Sequence, residues 1–309
     1  MKILLTGASS FTGMWFAREL AQAGHQVLAP LQSKLELYQG IRRKRLEILM
    51  TAGVELRFDL AIGSPGFRAL FKGGVDVICH HRAVTRNYQS MDFDICAALM
   101  ENTQNLAALF KEGAEQGLRG MVLTGSIFES GEGTGTLPLR AFSPYGISKT
   151  LTFEMFRFFA EKTGVPIYKY VIPNPFGPYE EPRFCDFLVR TWAQRRVPEV
   201  RTPDYVRDNI HVDLLALGYL DMVERAATGK PPFRCNPSGY AESVGFFSQR
   251  FAHEIGGRLS IPTPLNLLDQ KDFPEPKIRT NFEPIAFGWN EALAWDHLAD
   301  YYRENIPGL

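Results

Sequence analysis

Cysteine is scarce. The 309 residues hold four, Cys79, Cys96, Cys185 and Cys235, and none forms a C-x-x-C pair. A disulfide framework is therefore not expected, and a reducing, cytoplasmic setting fits. Neither sign of charge prevails, with 34 Lys plus Arg against 34 Asp plus Glu. Without a general basic field, no nucleic-acid partner is expected. No apolar run approaches the ~20 residues of a membrane span, so no membrane partner is expected either. The opening Met1–Gly7 is too short an apolar stretch for a signal peptide. Repeats and low-complexity tracts are missing. The adjacent His80 and His81 are poorly spaced for a metal, because neighbours on a strand point to opposite faces, and no metal site is expected. What is present is ordinary globular usage, 45% hydrophobic and 22% charged, which excludes disorder.

Short apolar runs alternate with helical patterns through the first half. Strands are predicted at 2–5, 26–29, 54–58, 75–79, 121–124 and 166–172. Helices are predicted at 12–23, 39–51, 92–112 and 144–162. Strand and helix repeated in this way predict an α/β fold, a Rossmann-type doubly wound parallel sheet with helices on both faces. The pattern changes at Pro173, where Pro173, Pro175, Pro178, Pro182, Pro198 and Pro203 crowd the chain. The expected layout is a nucleotide-binding domain of residues 1–172 and 206–228, and a small C-terminal domain of 173–205 and 229–309. The return to the first domain reads as an apolar helix over 206–227.

Thr6-Gly7-Ala8-Ser9-Ser10-Phe11-Thr12-Gly13 stands between the first strand and the first helix. Small residues there let the backbone turn and approach a pyrophosphate, and the helix N-terminus attracts anions. Gly7, Ser9, Ser10, Phe11, Thr12 and Gly13 are thus candidate cofactor contacts. Ser10 stands where this sheet type usually has its middle glycine, and its hydroxyl would donate to a phosphate oxygen. The segment after strand two lacks the carboxylate that usually holds the ribose hydroxyls of NAD. Gln32, Ser33 and Lys34 take its place, and Ser33 and Lys34 would receive a 2′-phosphate, so NADP is favoured over NAD. The following run Arg42-Arg43-Lys44-Arg45 reads either as an aid to that phosphate or as a solvated helix face. Asp59 and Leu60 read either as an adenine bracket or as a helix N-cap beside a buried leucine.

Tyr145 and Lys149 lie one helical turn apart and share a face. A lysine ammonium favours the phenolate and makes a tyrosine usable as a general acid or base. Ser126, at the end of the fifth strand, would hold the substrate oxygen against Tyr145. Loops at the carboxyl ends of parallel strands are where such sheets bind ligands.

In this order, the Gly7–Gly13 loop, Ser126/Tyr145/Lys149, Asn174-Pro175-Phe176-Gly177-Pro178, Arg207-Asp208-Asn209-Ile210-His211-Val212-Asp213 and Phe287-Gly288-Trp289 resemble the extended short-chain dehydrogenase/reductase family. That family comprises nucleotide-sugar epimerases, dehydratases and reductases. The resemblance implies NAD or NADP as cofactor, a nucleoside-diphosphate sugar as substrate and partner, and a homodimer formed through two helices per subunit, here 92–112 and 144–162. It implies that Asn174 and Arg207 contact the substrate. The guanidinium fork suits a diphosphate, although Arg207 also reads as the partner of a nearby acid such as Asp204. It places His81 and Arg82 beside cofactor or substrate, within His80-His81-Arg82-Ala83, where the family usually shows His-x-Ala-Ala.

Family dehydratases carry an Asp-Glu pair directly after the triad's serine or threonine position. Here Ile127 and Phe128 stand there, which disfavours 4,6-dehydration. Glu129 comes one residue late and reads as a surface acid. The resulting expectation is hydride transfer at a sugar carbon, C4, by an epimerase or a 4-keto reductase. The alternative is a non-catalytic NADP(H)-sensing regulator of the same fold.

Overall fold

The computed structural model describes residues 1–285 and 288–309. By contacts the chain divides into two compact units, one of residues 1–132, 139–172 and 216–236 and one of 133–138, 173–215 and 237–309.

The first unit is built on a seven-stranded parallel sheet. Its strands include β1 (Lys2–Thr6), β2 (Gln26–Pro30), β3 (Glu55–Arg57), β4 (Val77–His80) and β5 (Gly120–Ser126). Ile167–Ile172 pairs with β5, and Arg234–Cys235 closes that edge. In space β4 and β2 flank β1, so the strand order reverses direction at β1. The carboxyl ends of these three strands form the crevice where doubly wound sheets bind nucleotides. β1, β4 and β5 are almost wholly buried, as expected of strands covered on both faces. Leu4, Ile78, Met121 and Leu123 pack against Phe110 and Phe156 from the helical layer. Helix α1 (Phe11–Gln22) is capped by Ser10, and helix α2 (Gly40–Thr51) follows β2.

The second unit has its own core, centred on Phe176, Leu188, Trp192, Phe247, Phe251 and Trp295. Its main strand, Val206–His211, pairs with Asn174–Phe176, Tyr240–Ser243 and Ile278–Thr280.

Several elements differ from expectation. The segment read as an apolar helix from 206 begins as the strand Val206–His211, and the helix runs Val212–Thr228. By contacts, residues 206–215 fall in the second unit and 229–236 in the first. The helix expected over 92–112 is two, Ile95–Asn102 and Leu106–Glu115, interrupted at Asn105, whose φ of +53° is left-handed. Phe287 of the Phe287-Gly288-Trp289 element lies outside the described residues.

Candidate active site

The loop after β1 turns on Gly7, at φ +79°. A Cβ there would lie 2.9 Å from the Arg82 backbone nitrogen, and one at Gly13 would lie 2.2 Å from the Gly7 carbonyl oxygen. The loop admits no side chain at either point. Ser10 is turned inward: its hydroxyl donates to the Gly7 carbonyl at 2.8 Å and accepts from the Gly13 N–H at 3.2 Å. In this geometry the Ser10 proton is engaged within the loop. Ser9, Phe11 and Thr12 are buried around it. A tight turn with glycine at its two crowded points, opening onto a helix N-terminus, fits a dinucleotide pyrophosphate.

Two residues from the end of β4 brace this loop. His81 sets Nε2 3.1 Å from the Ser10 hydroxyl and 3.0 Å from that of Thr12, while Nδ1 lies 3.0 Å from the Thr124 hydroxyl on β5. Burial and then the Lys149 charge lower its pKa to about 3, so the ring is neutral. Arg82 crosses from β4 to the end of β2. Its guanidinium donates to the Gln32 amide oxygen at 2.8 Å and to the Glu101 carboxylate at 2.7 Å. Arg82 therefore bridges the ends of β4 and β2. Gln32 and Lys34 are exposed, and Ser33 is half-buried beside them.

In the basic helix α2, Arg42 and Lys44 are exposed and Arg43 pairs with Glu47. Arg45 departs from the solvated-face reading. It is 0% exposed and donates to the Ser9 carbonyl at 3.2 Å. It shares the inward face with Leu46 and Leu49, a helical spacing visible in the sequence. Asp59 is exposed at φ +57° and caps no helix; Ser64 caps Pro65–Ala69 instead. Leu60 is half-buried next to Gly66.

Helix Pro144–Thr163 starts at an N-cap, Ser143, with Pro144 in the first turn. It presents Tyr145 and Lys149 at i and i+4. The Tyr145 ring packs edge-on against Tyr88, Phe93 and Phe128 at 5.5, 5.9 and 6.2 Å. Lys149 is buried, and its Nζ donates to the Thr124 carbonyl at 2.5 Å. Burial lowers its pKa to about 8, with Glu129 opposing and Lys169 adding to the shift. Ser126 ends β5 two residues beyond Thr124, and its Oγ accepts from the Phe128 N–H at 3.3 Å. Glu129, expected at the surface, is 0% exposed: its Oε1 accepts the Ser126 backbone N–H at 2.7 Å.

Asn174 and Arg207 lie in the second unit, where Asn174 is in register with Asn209 of the Arg207 strand. Arg207 pairs with Glu275 at 3.0 Å rather than with Asp204, and its guanidinium stacks 4.2 Å from the Tyr205 ring centre. Arg279 faces it in register on the neighbouring strand and is buried. Parallel register puts these two guanidiniums on one face of the sheet. No motif in the sequence marked Arg279. In the same unit, a groove of about 700 Å³ is lined by Arg183, Phe184, Phe187, Arg196, Val200 and Arg201.

No group of three or more potential metal ligands occurs among the described residues. No helix there is long and apolar enough to cross a membrane.

The parallel sheet, the glycine loop at its switch point and the helix bearing Tyr145 and Lys149 define a Rossmann-type nucleotide-binding protein. The chain belongs to the NAD dependent epimerase/dehydratase family, which it matches over residues 3–236. No curated protein matches it in sequence. Among solved structures it is similar to the UDP-glucuronic acid 4-epimerase of Bacillus cereus in complex with UDP-glucuronic acid and NAD. That likeness has a TM-score of 0.74 at 16% identity and covers 98% of this chain and 99% of that one. The dTDP-glucose 4,6-dehydratase of Streptomyces venezuelae, with NAD bound, matches with a TM-score of 0.73 at 19% identity over 99% and 98% of the two chains. The UDP-glucose 4-epimerase of Thermotoga maritima, with UDP-glucose, matches at 0.71 and 16% over 98% and 99%. At these identities the likeness shows the fold.

Proposed function

We propose that the chain carries out hydride transfer at C4 of a nucleoside-diphosphate sugar, as an epimerase or a 4-keto reductase. The observation that supports it most is the site on the first unit. Tyr145 and the buried Lys149 share a helix face, Lys149 is fixed to the Thr124 carbonyl, and Ser126 ends the same strand. In this reading Ser126 Oγ aligns the sugar oxygen, and Tyr145 takes its proton as C4 is oxidised to a ketone. Lys149 supports the phenolate and the nicotinamide ribose. A nicotinamide, when bound, would supply the hydride chemistry at C4. In an epimerase Tyr145 would give the proton back to the sugar oxygen on the opposite face. A reductase adds one hydride and the Tyr145 proton to a keto sugar. Ile127 and Phe128, where dehydratases carry Asp-Glu, speak against 4,6-dehydration.

The second unit is read as the substrate domain. Arg207 and Arg279 would grip the diphosphate, Asn174 would contact the sugar, and the arginine-lined groove suits an anionic nucleotide. For the cofactor, NADP is preferred over NAD. Arg82 lies across the crevice with Gln32 in place of a carboxylate, and Lys34 follows. The Gly7–Gly13 loop, with Ser9, Phe11 and Thr12 packed around it, takes the pyrophosphate, His81 braces it, and Asp59-Leu60 lie toward the adenine. All four cysteines are free thiols, which favours the cytoplasm. A homodimer is also proposed, because Ile147, Leu151, Met155 and Phe158 form an exposed apolar stripe along helix Pro144–Thr163.

Turnover of UDP-, GDP-, CDP- and dTDP-sugars by wild type and Tyr145→Phe tests the function. Wild type should act on one of them, and the variant should lose ~10²–10⁴-fold while still binding cofactor. Cofactor binding with no turnover of any sugar nucleotide or keto derivative would favour a regulator instead.

A further inference from the structure

Behind the end of β5 lies a charge cluster that hydride transfer does not itself require. Lys169 is 3% exposed, Glu129 0% and Glu132 1%. Lys169 Nζ donates to Glu129 Oε2 at 2.5 Å and to Glu132 Oε1 at 2.6 Å, and it sits 4.1 Å from the centre of the Phe153 ring. Arg234 comes within 3.3 Å of Glu132 Oε1 and balances the second carboxylate. Buried ion clusters of this kind add little net stability over apolar side chains of the same volume. Stability alone therefore gives no reason for this one.

Its position does. The second oxygen of Glu129 receives the Ser126 backbone N–H at 2.7 Å, so the acid is joined directly to the end of the catalytic strand. Gly125 makes room for this contact: a Cβ there would lie 2.8 Å from Lys169 Cε and 3.2 Å from Glu129 Oε1. The cluster also stands at the strand end that holds Lys149: Lys149 Nζ donates to the Thr124 carbonyl, two residues before the Ser126 N–H that Glu129 accepts. The groups that act electrostatically with Lys149 include Glu129, Lys169, His80 and His81, and Tyr145 stands one turn before it on the same helix. Both histidines are held neutral by burial first, and Lys169 is a like charge. Glu129 is the carboxylate among them.

Building on the Ser126–Tyr145–Lys149 reading above, we propose that Glu129 is a positioning residue of the site. Its carboxylate fixes the Ser126 backbone and acts as counter-charge to the Lys149 ammonium, while Lys169 and Glu132 hold Glu129 in place.

The test is NMR of the full chain carrying lysine labelled with ¹³C at Cε, titrated from neutral to alkaline pH. The Lys149 signal is assigned by its loss in Lys149→Arg. Glu129→Gln keeps an amide oxygen for the Ser126 N–H but removes the charge. It should lower the Lys149 pKa by about one unit or more, the usual effect of losing a close opposite charge. Glu132→Gln takes an equally buried carboxylate from the same Lys169. It should lower the melting temperature to a similar degree yet leave the Lys149 titration in place. A titration unmoved in Glu129→Gln, or moved equally in both variants, overturns the proposal. If Glu129→Gln does not fold, Glu129→Gln/Lys169→Met removes the pair together. The Lys149 pKa should then still fall, by less, and no fall overturns the proposal. The readout needs no substrate. A missing turnover therefore refutes the sugar-nucleotide reading without touching this result, and an unmoved Lys149 refutes this proposal without touching that reading.

Discussion

Arg82→Ala separates the two cofactors. In the structure the guanidinium is held by the Gln32 amide and the Glu101 carboxylate, with side-chain exposures of 18% for Arg82 and 52% for Glu101. An ion pair with so exposed a partner contributes at most about 1 kcal/mol to stability, so the variant should fold and melt within a few degrees of wild type. A 2′-phosphate that lost this guanidinium would lose a charge-assisted interaction worth about 1.5–3 kcal/mol. NADP(H) affinity should therefore fall roughly ten- to hundredfold. NAD(H), with a hydroxyl at that position, should change little. Glu101→Gln releases the arginine from its competing acid and should tighten NADP(H) binding. Calorimetry with both cofactors on the three proteins decides the matter. A ratio of NADP to NAD affinity that is the same in wild type and Arg82→Ala refutes the reasoning.

Gly13→Ala should abolish dinucleotide binding and lower the melting temperature, because its Cβ would sit 2.2 Å from a backbone oxygen that cannot yield. Gly24→Ala, at φ +84° with open space around it, should lower stability only by about 1–2 kcal/mol and leave binding intact. Lys149→Met should remove activity yet raise the melting temperature at neutral pH. The folded pKa of about 8 lies below the ordinary 10.5, so the unfolded chain binds more protons and wild-type stability rises with pH between these values. The displacement corresponds to about 3 kcal/mol, so the advantage of Lys149→Met should be full below the lower value and vanish above the upper one in pH-dependent melting curves. Arg207→Ala should weaken nucleotide-sugar binding, measured by calorimetry, roughly tenfold to several hundredfold with cofactor affinity unchanged. Leu151→Lys/Met155→Lys should convert a dimer to a monomer in light scattering. A wild-type monomer, or a variant of unchanged mass, would remove the dimer proposal.

The parallel sheet was legible because local pattern suffices for it: apolar strands and amphipathic helices alternate, and Gly7 and Gly13 mark the turn between the first pair. Tyr145 and Lys149 were legible because helical spacing alone puts them on one face. The strand Val206–His211 was misread as helix because it runs without a break into an apolar helix, and only pairing with Asn174–Phe176 and Tyr240–Ser243 identifies it. The residue type of Ser10 suggests a phosphate contact, while the cap it makes with Gly13 depends on the folded loop. Arg45 and Glu129 show the limit most plainly. A charged residue reads as solvated until its partner is known, and these partners are remote in sequence: Ser9 lies 36 residues from Arg45, and Glu129 lies 40 from Lys169. Sequence by itself determined the periodicities and the residues within one turn or loop. Tertiary structure decided which charges are buried, because burial depends on what the rest of the chain brings against them.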